Sequence, residues 1–179
     1  MLLDLSKLCG DRDRVERDYV ASDFGTENAE FCVAEPVHLA LDVRKERDHY
    51  RLQGRLRTRL EIPCGRCLEG FPYPVNVALD LRYLPQDRNT GCGEREVEMG
   101  ALSTAFYRDE IIDLGQLMNE QFYLALPMKP LCGEECKGLC PECGTNLNQS
   151  SCACRRVWRD PRWAALEGLL KDDQKRTSG

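Results

Sequence analysis

Histidine is scarce in this chain, since His38 and His49 are the only two among 179 residues. Aromatic residues account for 7% of the sequence, and no apolar run approaches the roughly 20 residues that a membrane-spanning helix needs. The sequence also lacks a Walker A loop, a glycine-rich dinucleotide turn and any spacing that suggests a Ser–His–Asp triad. We therefore predict that the protein is not an enzyme, has no small-molecule substrate and does not enter a membrane. Both histidines lie on or near the outward face of predicted strand segments, where we expect exposed side chains.

A secretory signal is also missing, because the chain starts Met1-Leu2-Leu3-Asp4 without a basic segment followed by an apolar one. Cysteine, in contrast, is abundant, with eleven residues. Disulfides persist mainly in secreted proteins, whereas thiols in the cytosol stay reduced. We therefore expect a cytoplasmic protein in which clustered cysteines bind metal.

Most of these cysteines are spaced like metal ligands. Two thiolates that lie two or three residues apart can hold one tetrahedral ion from a tight turn, and Gly144 can adopt the positive φ that the turn after Cys140 needs. We predict two zinc ions in all-cysteine sites, with a structural role because four thiolates leave no position for water. The predicted ligands are Cys64, Cys67, Cys132, Cys136, Cys140, Cys143, Cys152 and Cys154.

The metal and the pairing of its ligands both have alternatives. Four thiolates also hold iron–sulfur clusters, and Cys64 with Cys67 could form a redox dithiol. Because short loops cost less entropy to close, we favour one site of Cys140, Cys143, Cys152 and Cys154 over a swapped arrangement. That choice leaves Cys64, Cys67, Cys132 and Cys136 for the other site. The remaining cysteines, Cys9, Cys32 and Cys92, have no partner spacing and are interpreted as free thiols.

Apolar and polar residues alternate with a period of two in three segments, Val37–Val43, Leu52–Ile62 and Val75–Tyr83. This pattern predicts an antiparallel meander with one buried face. A helix is predicted to start after Asp113 as its N-cap, with Gln116 three residues on as in a capping box, and to end at Pro127. Its predicted apolar stripe consists of Leu114, Leu117, Met118, Phe122 and Ala125.

The predicted fold class is α+β, with an antiparallel β-meander or partly open barrel, one central helix, a cysteine-rich zinc module and a C-terminal helix. A β-rich domain is expected over residues 1–130, with the Cys64–Cys67 hairpin and the helix near 113–126. The metal-binding module is expected over 131–170, with a last helix from Asp160 packed on it. A flexible tail is expected over 171–179. Residues 86–103 are interpreted as a loop or loose hairpin, before a short strand around Thr104–Arg108.

The net charge of −5 conceals two basic segments. Residues 44–66 hold eight basic and three acidic side chains, and residues 155–179 hold seven basic and four acidic ones. Four arginines, Arg51, Arg55, Arg57 and Arg59, share one face of a predicted strand. Guanidinium groups match the geometry of phosphate, so we predict an RNA-binding surface there. The alternative is the solvated outer face of a half-buried sheet.

Several motifs together resemble a known family. They are Cys64-Gly-Arg-Cys67-Leu68, Asp113-Leu114 at the start of a helix, Leu124-Ala125-Leu126-Pro127, Leu131-Cys132-Gly-Glu-Glu-Cys136-Lys137-Gly138-Leu139-Cys140-Pro141-Glu142-Cys143-Gly144, Cys152-Ala-Cys154 and Asp160-Pro161-Arg162-Trp163. On these the chain resembles, over about residues 36–170, the YceD-type family of bacterial and plastid large ribosomal RNA subunit accumulation proteins, in its cysteine-rich subgroup.

The resemblance implies a non-enzymatic role in ribosome biogenesis, in which large-subunit ribosomal RNA is made or stabilised. The implied partner is that RNA or a pre-ribosomal particle. The resemblance names no contact residue, and the arginine-bearing strand is our prediction for the contact. In the alternative, the protein is a zinc-stapled adaptor that binds a ribosomal protein or another assembly factor through its acidic remainder, near residues 94–113. A thiol oxidoreductase is a third and weaker alternative.

Overall fold

A computed structural model describes residues 1–8, 10–25, 30–88 and 103–154. The chain folds as two compact units, Met1–Cys136 and Lys137–Gly179. The predictions for Cys9, Cys92, most of the loop over 86–103, the helix from Asp160 and the tail fall outside the described residues. The domain bounds proposed from the sequence therefore stay predictions.

The described part of the first unit contains eight strands and one α-helix. The strands are β1 (Leu2–Asp4), β2 (Arg12–Tyr19), β3 (Cys32–Val33), β4 (Val37–Glu46), β5 (His49–Pro63), β6 (Gly70–Pro85), β7 (Thr104–Tyr107) and β8 (Ile111–Asp113). The helix α1 spans Leu114–Ala125, and short 3-10 turns span Leu5–Lys7, Ala21–Phe24 and Gln86–Arg88. No helix in the described part of the chain is long and apolar enough to cross a membrane.

The strands form one large and one small sheet. In the large sheet the order is β2-β4-β5-β6-β7, with β3 beside the far end of β5. The predicted antiparallel meander is confirmed in β4, β5 and β6, where Leu56 lies opposite both Leu39 and Val77. Strand β7 pairs with β6 in parallel, and β1 pairs with β8 as a separate two-stranded sheet. The described strands do not close into a barrel, so the fold is α+β with an open sheet.

The period-two pattern sorts the side chains of the sheet as predicted. On β5, Leu52, Leu56 and Leu60 are fully buried, whereas Arg55 and Arg57 between them are exposed. The helix covers the buried face. Four of its predicted stripe residues, Leu114, Leu117, Met118 and Phe122, are at most 2% exposed and belong to the same core cluster as the β5 leucines.

Helix α1 starts and ends where the sequence predicts. The carboxylate of Asp113 accepts hydrogen bonds from the backbone N–H groups of Gly115 and Gln116, at 2.8 and 3.2 Å. The side-chain amide of Gln116 donates to Glu120, one turn further along the helix. The side-chain hydrogen bonds that cap the N-terminus of α1 are therefore those accepted by Asp113. At the other end Leu126 is the C-cap, directly before Pro127.

Gly54 permits a close approach between the two central strands. It pairs with Leu41 of β4 and Leu79 of β6. A Cβ atom built at this position would lie 2.0 Å from the backbone oxygen of Ala40. Backbone atoms in the middle of a sheet cannot move aside cheaply, so only glycine fits here.

We therefore predict that Gly54→Ala destabilises the fold by about 1–3 kcal/mol, the usual cost of overpacking. Chemical denaturation at constant zinc would measure this change. Gly133→Ala is the matched control, because a Cβ at Gly133 meets no atom within 4 Å. Equal stability of the two variants would contradict the close approach.

Candidate metal centres and nucleic-acid interface

Eight cysteines converge into two groups of four. Site 1 consists of Cys64, Cys67, Cys132 and Cys136, and site 2 of Cys140, Cys143, Cys152 and Cys154. Within each group the sulfur atoms all lie within 4.8 Å of one another. This is the grouping that we predicted from the sequence, because short loops cost less entropy to close. Cys32, the described cysteine outside both groups, is an exposed free thiol on β3.

The spacing of the sulfurs in site 1 suits a tetrahedral ion. The Sγ atoms of Cys64 and Cys136 are 3.8 Å apart, and those of Cys67 and Cys132 are 3.7 Å apart. A tetrahedron of sulfurs about 2.3 Å from a central zinc has edges of about 3.8 Å. The geometry therefore fits zinc, and an all-thiolate set leaves no open position for water or substrate.

The local fold of site 1 explains why its two halves meet. Residues 64–69 form the turn between β5 and β6, in which the N–H groups of Cys64 and Leu68 donate to the carbonyls of Glu69 and Cys64, both at 2.9 Å. Leu68 adopts a φ of 62°, an unusual value for a residue with a side chain. The N–H of Gly65 donates to Pro130 at 2.7 Å, which holds the segment after α1 against this turn.

The side chain of Arg66 connects the two halves of site 1 by hydrogen bonds. Its Nη1 atom donates to the carbonyl oxygens of Glu134 and Cys136, at 3.1 and 2.9 Å. This contact fixes the loop that carries two of the four cysteines. Sequence reasoning missed this role, since an arginine within a cysteine turn carries no signal for a partner 70 residues away.

The thiols of site 1 differ in how readily they ionise. Backbone N–H groups of Cys67, Cys132 and Arg66 lower the pKa of Cys64 to about 6. The neighbouring sulfurs of Cys136, Cys64 and Cys67 raise the pKa of Cys132 to about 12. One thiolate is thus stabilised by the backbone, but a further thiolate beside it is opposed by repulsion. A divalent cation would remove that opposition, because a bound metal deprotonates its thiol ligands.

Site 2 repeats this arrangement in the second unit. Gly144 adopts the predicted positive φ, at 72°, and its N–H donates to Cys140 at 2.9 Å. The hydroxyl of Thr145, with its backbone, lowers the pKa of Cys143 to about 6, whereas the sulfur of Cys143 raises the pKa of Cys154 to about 12. Cys140 is buried, but Cys143 and Cys154 are exposed. Site 2 is therefore more open to solvent than site 1, where three of the cysteines are buried.

The four arginines of the predicted RNA-binding strand fall into two classes. Arg51 donates two hydrogen bonds to Asp80, at 2.9 and 2.8 Å, and these bonds lower the pKa of Asp80 to about 2. Arg59 pairs with Glu35 at 2.8 Å. Within the described part of the chain, no carboxylate lies within ion-pair distance of Arg55 or Arg57.

The two histidines occupy different environments. His38 is exposed, as predicted, and its Nδ1 atom lies 2.5 Å from the carboxylate of Asp18. The prediction for His49 is wrong, because its side chain is only 10% exposed and lies between Glu46 and Asp48. The tight hairpin between β4 and β5 encloses this side chain, and strand alternation alone does not reveal that.

Comparison with known sequences agrees with these motifs. The profile of the family described as "Large ribosomal RNA subunit accumulation protein YceD" matches residues 52–170. The chain belongs to the YceD family. The matched residues contain both cysteine groups and the whole stretch from Arg55 to α1. No solved structure matches the chain.

YceD relatives with curated sequences come from bacteria and plants. An uncharacterized protein of Mycobacterium tuberculosis (strain H37Rv) is 38% identical over 107 residues, which cover 60% of this chain and 49% of that protein. The large ribosomal RNA subunit accumulation protein YCED homolog 1, chloroplastic, is 29% identical in Zea mays, covering 67% of this chain and 49% of that one. Its Arabidopsis thaliana counterpart is 26% identical, covering 79% and 50%. The chain thus spans about half the length of these relatives.

We predict that replacing both cysteines of the site 1 turn, as Cys64→Ser with Cys67→Ser, releases one of two zinc ions and leaves the other bound. The reason is that each site draws its ligands from its own group of four. Metal stoichiometry by mass spectrometry of the purified variant would measure the loss.

Two controls frame this prediction. Cys140→Ser with Cys143→Ser should release the other ion, and Cys32→Ser should release none, since Cys32 lies outside both groups. Loss of both ions, or of neither, in the Cys64/Cys67 variant would show that the grouping does not describe the ligands.

Proposed function

We propose that this protein is a non-enzymatic zinc-binding factor that supports the accumulation of large-subunit ribosomal RNA during ribosome assembly. In this proposal it contacts the RNA, or the pre-ribosomal particle, through the solvent-facing side of the large sheet, in the cytoplasm. Family membership supports the link to large-subunit RNA. The two all-cysteine groups support structural zinc.

The observation that supports the RNA contact is a pair of arginines that have no carboxylate partner among the described residues. Arg55 and Arg57 lie on the central strand of the sheet and point away from the core, as their exposure shows. A guanidinium already paired with a carboxylate has its charge partly neutralised and some of its donors occupied, whereas an unpaired one offers its full charge and all its donors to phosphate. Arg55 and Arg57 are therefore available to a polyanion at lower cost than Arg51 and Arg59.

A protein partner has separate support in the first unit. Leu68, Leu124 and Met128 are large apolar side chains that are 66%, 78% and 102% exposed. A cavity of about 250 Å³ is lined almost entirely by apolar groups, from Ile62, Pro63, Leu126, Pro127 and Pro130, together with Glu30. Exposed apolar surface of this kind is typical of protein-binding sites. The adaptor function is thus the second candidate, in which the partner is a ribosomal protein or an assembly factor.

We predict that Arg55→Glu with Arg57→Glu weakens binding to a large-subunit ribosomal RNA fragment by about a hundredfold or more, as expected for two charge-assisted contacts of about 1.5 kcal/mol or more each. The slope of log affinity against log salt should also decrease by about 1.4, since each contact with single-stranded RNA contributes about 0.7. Filter binding at several salt concentrations would measure both changes.

The matched control is Lys7→Glu with Lys129→Glu, which changes the net charge by the same amount at exposed positions away from β5. If both double variants weaken binding equally, only net charge matters and the proposed surface is wrong. If neither does, the adaptor candidate is favoured, and in-cell crosslinks should then join the protein to protein and not to RNA.

A further inference from the structure

Two adjoining depressions of about 450 and 460 Å³ lie on the solvent-facing side of the large sheet. His38, Ala40 and Arg57 line both of them, and Arg55 lines the first. The register explains this shape. Ala40 lies opposite Arg55 on β4 and lines both depressions, and its small side chain leaves the space above the sheet open.

Each of the three carboxylates that line the depressions has a partner other than Arg55 and Arg57. Glu16 lies 3.6 Å from Arg14, and Asp42 lies 3.3 Å from Arg12. Asp18 is held by His38. Glu16 and Asp42 are paired with arginines and Asp18 with His38, so none of these three carboxylates pairs with Arg55 or Arg57, whose positive charge faces the space between them.

His38 is a titratable group that lies beside this positive charge. It is the direct cross-strand neighbour of Arg57, and on its other side it is the neighbour of Asp18. The Nδ1 atom faces Asp18, so the ring's other nitrogen remains for a ligand. The charged groups that face His38 are Asp18, Glu16 and Arg17 from β2, and Arg57 from β5.

We propose that His38, Arg55 and Arg57 form one subsite for the phosphodiester groups of RNA, in which Asp18 orients the imidazole of His38 toward the ligand. This inference rests on the proposed function and adds His38 to its contact surface. The described residues that line the two depressions include no Tyr, Phe or Trp. These residues therefore offer no aromatic platform for base stacking, and in this proposal the subsite contacts the phosphodiester backbone.

Protonation gives this subsite a dependence on pH. A neutral His38 leaves the charge of Asp18 uncompensated, whereas a protonated His38 cancels it and can donate a hydrogen bond to phosphate. A proton on His38 would thus make the field at the subsite more positive. RNA phosphodiesters keep their charge over the same range, so RNA should bind more tightly at the lower pH.

The experiment measures the affinity of a short, fluorescently labelled, single-stranded RNA of mixed sequence, at about pH 6 and about pH 8. Zinc content is checked at both values so that metal loss does not enter the comparison. The wild-type protein should bind about two- to fivefold more tightly at the lower pH, as expected for one added charge at an exposed site. His38→Gln should abolish this difference and leave the melting temperature unchanged.

His49→Gln is the matched control, since His49 is the other histidine of the chain and its replacement should leave the pH dependence intact. If RNA binds through Arg55 and Arg57 but His38→Gln keeps the pH dependence, the subsite is wrong and the proposed function stands. If the wild-type protein binds no RNA, both are wrong. If polyglutamate of equal charge competes as well as RNA, the site takes carboxylates, which overturns its assignment to phosphodiesters.

Discussion

Four sulfur atoms within 4.8 Å of one another form the constraint on which much of this structure depends. Backbone N–H groups can stabilise one thiolate, as they do for Cys64, but a neighbouring thiol then resists ionisation, as Cys132 does. A divalent cation resolves the conflict, and binding energies of about 10–16 kcal/mol in zinc-finger peptides show how strongly a metal can hold such a group. In site 1 the cation would join the β5–β6 turn to the segment after α1, and Cys67 and Cys132 are 65 residues apart in sequence.

The solvent-facing side of the sheet lies apart from this junction. Helix α1 covers one side of β4, β5 and β6, and the chain then returns along the tip of the β5–β6 hairpin, where Gly65 and Arg66 bind it. The opposite side of the sheet stays open to solvent. Arg55, Arg57 and His38 lie there, on strands whose positions are set by burial of the leucines between them. The cysteine group of site 1 and the surface proposed to contact RNA are thus separate parts of the first unit.

Local patterns predicted the parts of the fold that are regular over many residues. Alternation in Leu52–Ile62 and the Asp113 cap with its apolar stripe were sufficient for β5 and α1. The residues Arg12–Tyr19 did not predict β2, because that strand carries charged residues at nearly every position and, among the described strands, pairs only with β4. We also did not predict the parallel pairing of β7 with β6 or the β1–β8 pair, because pairing between distant segments leaves no periodic pattern in the local sequence. At the sites, the spacing of the cysteines predicted their two groups. It could not predict which arginines of β5 form ion pairs, because Asp80 and Glu35, the partners of Arg51 and Arg59, lie outside β5.

The metal content and coordination of the wild-type protein test the central claim most directly. Protein purified without added metal would be measured by mass spectrometry for stoichiometry and by X-ray absorption at the zinc edge. The account predicts two zinc ions per chain, each with four sulfur neighbours at about 2.3 Å. Iron in place of zinc, a nitrogen or oxygen atom bound directly to the metal, or a metal-free protein that folds with the same stability would contradict it.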